Sequence, residues 1–409
     1  MISEPVSKPA GAVVLLIGAS TRALAFSVLR CGQKPWCLDL FADADLLAFV
    51  PDAKRCPFSE YPNSLEDLLC DAPDGPVVYT GGLENYPRLV SRLAERRTLW
   101  GNDERSLRLV RDPFHVANLL SAGGLRRPGV FDNPRDACGR FQLLRKPRKS
   151  AGGAHISIAQ AGDPESKAFY FQQFIPGPSF AAVFCAYRDR TVLLGVTQQL
   201  TGEEWLNAKP FHYCGSIGPI SCSAMMHEAL FRIGETLRLG CGLRGLFGVD
   251  FILNDNCPWP VEVNPRYTAS IEVLEYASHQ CTPSASGKWP ILKTMEHHRA
   301  AFDDGMGGSD RDAVAASART IVGKAVLFAP EALIVPPQTR IRIATDPFIQ
   351  PDAADIPRTA ERIEEGWPIL TVFAEGASAD DCRAELKRRC AELMRWILAD
   401  WRASTHSTS

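Results

Sequence analysis

Nowhere in the 409 residues do two cysteines stand at C-x-x-C spacing, although the chain holds 13 of them. An odd set of singly scattered thiols does not make a disulfide framework. No cysteine lies at ligand spacing from the close pair His297-His298, so a structural zinc site is not expected. Reduced thiols suit a cytoplasmic protein. No run of 18 apolar residues occurs, and the start, MISEPVSKPAGAVV, lacks a basic segment leading into an apolar core. Neither a membrane partner nor a secretory leader is therefore expected. A charge excess is missing too. With 45 basic and 47 acidic side chains and a net charge of −2, no polyanion-binding face is implied and nucleic acid is not an expected partner.

What is present begins with a continuous apolar run, AVVLLI, residues 12–17. Such a run is expected of a parallel strand covered on both faces. A glycine turn follows, then a helix carrying Leu24, Val28 and Leu29 on one face and ending at Gly32. PWCLDLF and PVVYTGG read as further strands, and Tyr86 to Arg96 as a helix, which makes a doubly wound β/α pattern. Asp39 lies 21 residues after Gly18, a spacing at which an acid can hold a dinucleotide ribose. The turn, however, reads G-A-S-T-R-A rather than G-x-G-x-x-G, with the large Arg22 where a pyrophosphate would need close approach. An NAD site stays open as the lesser reading. Arg22 and Asp39 are instead expected to face an acceptor cleft.

A second unit begins near Arg111. DPFHVANLLSAGG reads as a helix with Val116, Leu119 and Leu120 inward, stopped by Gly123-Gly124. FQLLRKPRKSAGGAHIS then runs from a strand with Lys146 at its end into a Ser-Ala-Gly-Gly loop, residues 150–153. Outward backbone N–H groups in such a loop can cradle phosphates, and a nearby lysine adds charge. It lacks the G-K-[ST] and the following helix of a Walker A loop. YFQQFIPGPSFAAVFCAY reads as strand, Pro-Gly-Pro turn and strand.

The most informative stretch is GLFGVDFILNDNCPWPVEVNPRY, residues 245–267. Its NDN-Pro turn joins two strands into an antiparallel hairpin with a centre near Asn256. That centre places Asp250 roughly opposite Glu262, on the face that also carries Asn264, since residues two apart on a strand share a face. Val261 and Val263 are expected to turn into a core. Two carboxylates and an amide oxygen converging there would repel and resist burial unless a cation sits among them. Hard oxygen ligands of this kind suit Mg²⁺, which takes one or two protein carboxylates and completes its shell with water and substrate phosphates.

In this order, the strand ending in Lys146, the SAGG loop, QQFIPG, GVDFIL and VEVNPR resemble the ATP-grasp superfamily over residues 12–275, and more weakly to the end. The resemblance implies an α/β and α+β fold: an N-terminal doubly wound domain over 1–110, an ATP-grasp domain over 111–300 whose lid covers about 111–175, and a small biotin-carboxylase-like α+β domain over 301–409. The two subdomains of the middle region would clamp ATP. By matching motif, Arg111 and Lys146 would contact phosphates and Gly152-Gly153 would form the lid. Gln172, Gln173, Phe174 and Ile175 would line the adenine pocket, with Ser179 where many members carry a ribose-binding acid. Asp250, Glu262 and Asn264 would hold Mg²⁺, and Arg266, with Lys146, would stabilise the transferring phosphoryl group.

Enzymes of this kind activate a carboxylate as an acyl phosphate that an amine attacks, releasing ADP. EVNPRYTASIEVLE is similar to ATP-grasp proteins of one-carbon cofactor biosynthesis, tyramine–glutamate ligase among them, which implies small acid and amine substrates with glutamate as one of them. A homodimer is compatible with the resemblance. His212 and Tyr267 are candidates for the substrate cavity, with a structural role for His212 as the plainer alternative. Purine-pathway or biotin-carboxylase-like specificity remains open, as does a nucleotide-binding regulator without catalysis. Near the end, Ser378 is expected to cap a helix with Asp381 at N3 and an apolar stripe of Leu386, Cys390, Leu393, Ile397 and Trp401. The polar residues after Trp401 read as a frayed tail.

Overall fold

The computed structural model describes residues 11–137, 139–160, 162–163, 166–279, 292–303, 320–337 and 341–405. The leader reading of residues 1–10 lies outside them. The tail reading lies partly outside, because the last helix continues to Thr405 and residues 406–409 are not described.

The N-terminal part alternates strand and helix: β1 (Val13–Gly18), α1 (Arg22–Arg30), β2 (Lys34–Asp39), α2 (Ala44–Phe49), β3 (Lys54–Arg55), α3 (Leu65–Leu68) and β4 (Val77–Tyr79). The four strands are parallel in the order β3-β2-β1-β4. The apolar run works as expected, because β1 sends Val14 and Leu16 into one core and Leu15 and Ile17 into the opposite one. Helices α4 (Pro87–Arg96), α5 (Glu104–Val110) and α6 (Pro113–Ala122) lead onward. Asp103 caps α5 by accepting from Ser106 N, and Asp112 caps α6 ahead of a first-turn proline. In α6 the fully buried residues are Ala117 and Leu120, while Val116 and Leu119 pack half-buried on the same core.

A small antiparallel sheet, β5 (Val130–Phe131), β6 (Leu143–Pro147), β7 (Ser157–Ile158) and β8 (Phe169–Gln173), has the order β5-β8-β6-β7. The remaining strands are β9 (Ser179–Ala186), β10 (Thr191–Thr201), β11 (Tyr213–Gly218), β12 (Gly245–Asn254), β13 (Cys257–Asn264), β14 (Ile321–Phe328), β15 (Leu333–Ile334), β16 (Ala353–Ala354), β17 (Arg362–Ile363) and β18 (Pro368–Gly376). Eight of them form one continuous sheet, β13-β12-β9-β10-β11-β14-β18-β16, and β15 pairs with β17. Helices α7 (Ala224–Cys241), α8 (Ala269–His279), α9 (Thr294–Phe302) and α10 (Ala379–Thr405) cover this sheet. As expected, Ser378 Oγ accepts from Asp381 N at 3.1 Å, and Leu386, Cys390, Ile397 and Trp401 are buried, with Leu393 packed beside them. Each such apolar side chain contributes on the order of 1.5–3 kcal/mol.

Two N-terminal expectations are corrected. Helix α1 is buried on most of its surface because α8 and α9 pack over it, so Arg22, Ser27 and Arg30 are enclosed while Leu29 is only half-buried. Arg22 faces no cleft. It bonds Glu272 of α8 and donates from Nε to Asp355 Oδ1 at 2.9 Å. Lys324 Nζ reaches the same Glu272 at 3.0 Å. Burial alone would raise the Glu272 carboxyl, but Arg22 and Lys324 hold it down at about 2. Asp39 is also sealed. It accepts from Thr21 N, Thr21 Oγ1, Phe41 N and Ala42 N at 2.5–2.9 Å, which leaves its carboxylate committed to the turn rather than open to a ribose.

Candidate active site

The hairpin forms as the sequence demanded. Asp255 and Asn256 both have left-handed φ, 50° and 57°, the two-residue turn that matches strand twist. The register sets Asp250 opposite Glu262 and Gly248 opposite Asn264. A bulge between Asp250 and Phe251 modifies one expectation: Val263 enters the core, but Val261 is half-buried and lines the cleft.

The cleft has a volume of about 560 Å³ and lies between the small sheet and the β12–β13 end of the large one. It gathers Lys146, Gly152, Gly153, Gln172 to Ile175, Ser179, Asp250, Glu262, Asn264 and Arg266. Arg111 stands behind its wall, 3.0 Å from Glu262. Lys146, buried at the end of β6, donates to Gln172 Oε1 at 3.1 Å and to Val261 O at 3.2 Å. Burial works against its charge, yet Tyr170 and Glu262 raise its pKa above the ordinary value. Gln173 accepts from Gly129 N at 3.1 Å, and Phe174 N donates to Gln142 O at 2.8 Å, which ties this strand end to its own sheet. Gly152 and Gly153 have φ of 62° and 76°. Gly152 O accepts from Tyr213 N at 3.0 Å, and a Cβ on Gly153 would lie 2.0 Å from Phe211 O, so the loop rests on the start of β11.

Several contributors carried no sequence signal. Gln199 bridges Ser179 Oγ at 2.7 Å and Asp250 Oδ1 at 3.0 Å, and it looks like any polar residue in a strand. Glu84, on the short turn Leu83–Asn85 after β4, accepts from Arg266 Nε at 2.8 Å. Its neighbour Asn85 accepts from Arg111 at 3.0 Å and donates to Ser150 O at 3.2 Å. These contacts cross 20 to 182 positions of chain, so no local pattern announces them.

The two substrate-cavity candidates do not reach the cleft. Tyr267 is buried in the core shared with α1, and His212 packs its ring against Phe328. Burial, then Lys209 and His155, lower the His212 pKa. His297 and His298 are engaged within the fold, and among the described residues no group of three or more His, Cys, Asp or Glu side chains is placed to hold a metal ion. His297 Nδ1 contacts the Tyr187 hydroxyl at 2.6 Å, and His298 links Leu246 N to Trp100 O. The eleven described cysteines are free thiols. No described helix is long and apolar enough to cross a membrane.

The carboxylates themselves test the fit of a cation. Burial and the neighbouring Glu262 push Asp250 up to about 7, a condition that a divalent ion would relieve. Two carboxylates and a carboxamide within one cleft wall fit hard-ion chemistry and are too few for an all-protein cage, as suits Mg²⁺.

Residues 111–270 match the ATP-grasp domain family. An uncharacterised protein of Methanocaldococcus jannaschii is 24% identical over 210 residues, which is 50% of this chain and 42% of that one. The chain spans less than half the length of the curated relatives it matches. Among solved structures, biotin carboxylase of Campylobacter jejuni, solved as a β,γ-ATP complex, superposes with a TM-score of 0.66 at 13% identity over 91% of this chain and 89% of that one. An L-amino acid ligase from Bacillus licheniformis gives 0.65 at 15% identity, with 94% and 98% covered. The chain has the ATP-grasp fold.

Proposed function

We propose that this ATP-grasp chain is an ATP-dependent carboxylate–amine ligase that works through an acyl phosphate and releases ADP and phosphate. The observation that carries the reading is one cleft holding the Asp250–Glu262–Asn264 face, the cations Lys146 and Arg266, and a glycine loop. Bound Mg²⁺, held by Asp250, Glu262 and Asn264, would neutralise charge on the phosphates. Lys146 serves the phosphates and Arg111, expected to do the same, instead holds Glu262 from behind the cleft wall, while Gln172 to Ile175 and Ser179 frame the nucleoside. Arg266, aimed by Glu84 and Asn264, stabilises the phosphoryl group as it passes to the incoming carboxylate. The carboxylate oxygen attacks the γ-phosphorus, the bond to the β-phosphate oxygen breaks, and ADP leaves. The amine then attacks the acyl carbon, phosphate departs and the amine loses a proton.

Glutamate is the substrate we favour, on the resemblance of the VEVNPR region to ligases of one-carbon cofactor biosynthesis. The likeness to biotin carboxylase supports a second reading in which bicarbonate is the acid. Nucleotide product analysis over a panel of acids, with and without hydroxylamine, tests both. ADP with a hydroxamate establishes the ligase reading and identifies the acid. AMP with pyrophosphate overturns it, and ADP formation stimulated by bicarbonate alone favours carboxylation.

A further inference from the structure

Among the described residues, six charged ones line the cleft: Lys146, Glu203, Asp250, Glu262, Arg266 and Arg383. The proposed function uses four of them. Glu203 and Arg383 remain, and they are paired with each other. Glu203 follows β10, and Trp205 Nε1 donates to its Oε2 at 2.5 Å, which fixes the carboxylate. Arg383 comes from the start of α10, far away in sequence, and its side chain keeps 30% exposure against 17% for Glu203. Both open on the cleft rather than on bulk surface alone.

Their position relative to the proposed chemistry follows from β10. Gln199 bonds Asp250, Thr201 lines the same cleft two residues later, and Glu203 comes just after the strand ends. The pair therefore lies past the end of β10, farther along the cleft than the Gln199 contact with Asp250. Thr268 lines this cleft as well. It is only 8% exposed. An anchored anion beside an anchored cation complements a ligand that carries both signs.

We propose that Glu203 and Arg383 form the far end of the acceptor pocket and grip the head group of an α-amino acid. Arg383 takes the α-carboxylate and Glu203 the α-ammonium, so the amino acid presents its distal group to the reacting end of the cleft. The inference rests on the ligase reading and narrows its substrate to a small zwitterion.

The test measures binding of L-glutamate, its α-amide isoglutamine and its des-amino form glutarate by calorimetry to the full chain preloaded with a non-hydrolysable ATP analogue and Mg²⁺, for wild type, Arg383→Ala, Arg383→Lys and Glu203→Gln. The thermal shift produced by the analogue checks that each variant is folded. Wild type is expected to prefer an amino acid over both its α-amide and its des-amino form by about 10-fold or more, the scale of a charge-assisted contact. Arg383→Ala should abolish discrimination against the α-amide, Arg383→Lys should restore part of it, and Glu203→Gln should abolish discrimination against the des-amino acid. A merely structural ion pair would not separate these two preferences. Binding of the analogue with no amino acid bound overturns the subsite and leaves the nucleotide reading standing. Equal discrimination in wild type and variants overturns it too. Failure to bind the analogue at all removes the ligase reading and the subsite with it.

Discussion

Asp250 and Glu262 are direct cross-strand partners, yet their surroundings drive the two carboxyls in opposite directions. Burial and the Glu262 charge push Asp250 up to about 7. Burial would raise Glu262 as well, but Arg111 and Lys146 outweigh it and hold that carboxyl below its ordinary value. Paired acids with separated protonation behaviour are a recurrent mark of functional sites.

The first prediction follows from that asymmetry. Glu262→Gln removes a charge at a polar wall without changing volume, so the fold should persist. Mg²⁺-dependent turnover should fall by about 10²–10³, the scale of a lost electrostatic stabiliser. Steady-state ADP release measures it, and wild-type turnover would mean that the hairpin holds no catalytic metal.

Glu84 is 1% exposed, and one of its oxygens takes the Arg266 Nε–H. Glu84→Gln should leave nucleotide affinity near wild type and lower kcat about 10-fold, because the guanidinium loses a charge-assisted restraint. An equal loss in both parameters would argue that the turn supports the fold rather than the arginine.

The glycine loop is next. With φ of 76° and Phe211 O in the way of a Cβ, Gly153→Ala should lift the loop from β11. Hydrogen exchange over residues 150–155 should quicken in the variant, while ATP analogues slow it in wild type. Unchanged exchange on nucleotide addition would count against a closing lid.

His298 predicts a pH dependence. Its Nδ1 accepts from Leu246 N at 3.0 Å and its Nε2 faces Trp100 O at 3.0 Å, so the neutral ring is the form that fits. Burial lowers its pKa from 6.5 to about 4. A depressed folded-state pKa gives stability that is complete above about 6.5 and lost as pH falls toward 4, amounting to about 3 kcal/mol. Denaturation midpoints measured from pH 7 to 4 should show this loss, and His298→Gln should flatten it over that window.

What could be read from the chain alone was whatever local spacing controls. The Asp250–Glu262 register follows from a two-residue turn and a side-chain period of two, both short-range facts. The Ser378 cap, the stripe of α10 and the parallel β1 run are equally local. Tertiary structure decided what those elements meet. Arg22 and Asp39 read as cleft residues because an exposed turn was the local expectation, but α8 and the β16 region close over Arg22 with Glu272 and Asp355. Tyr267 points into a core for the same reason, since α1 packs where a cavity was expected. Glu84, Asn85, Gln199 and Arg383 entered the site through contacts between distant segments, and the energy of such contacts depends on which surfaces dock, a quantity that residue spacing does not contain.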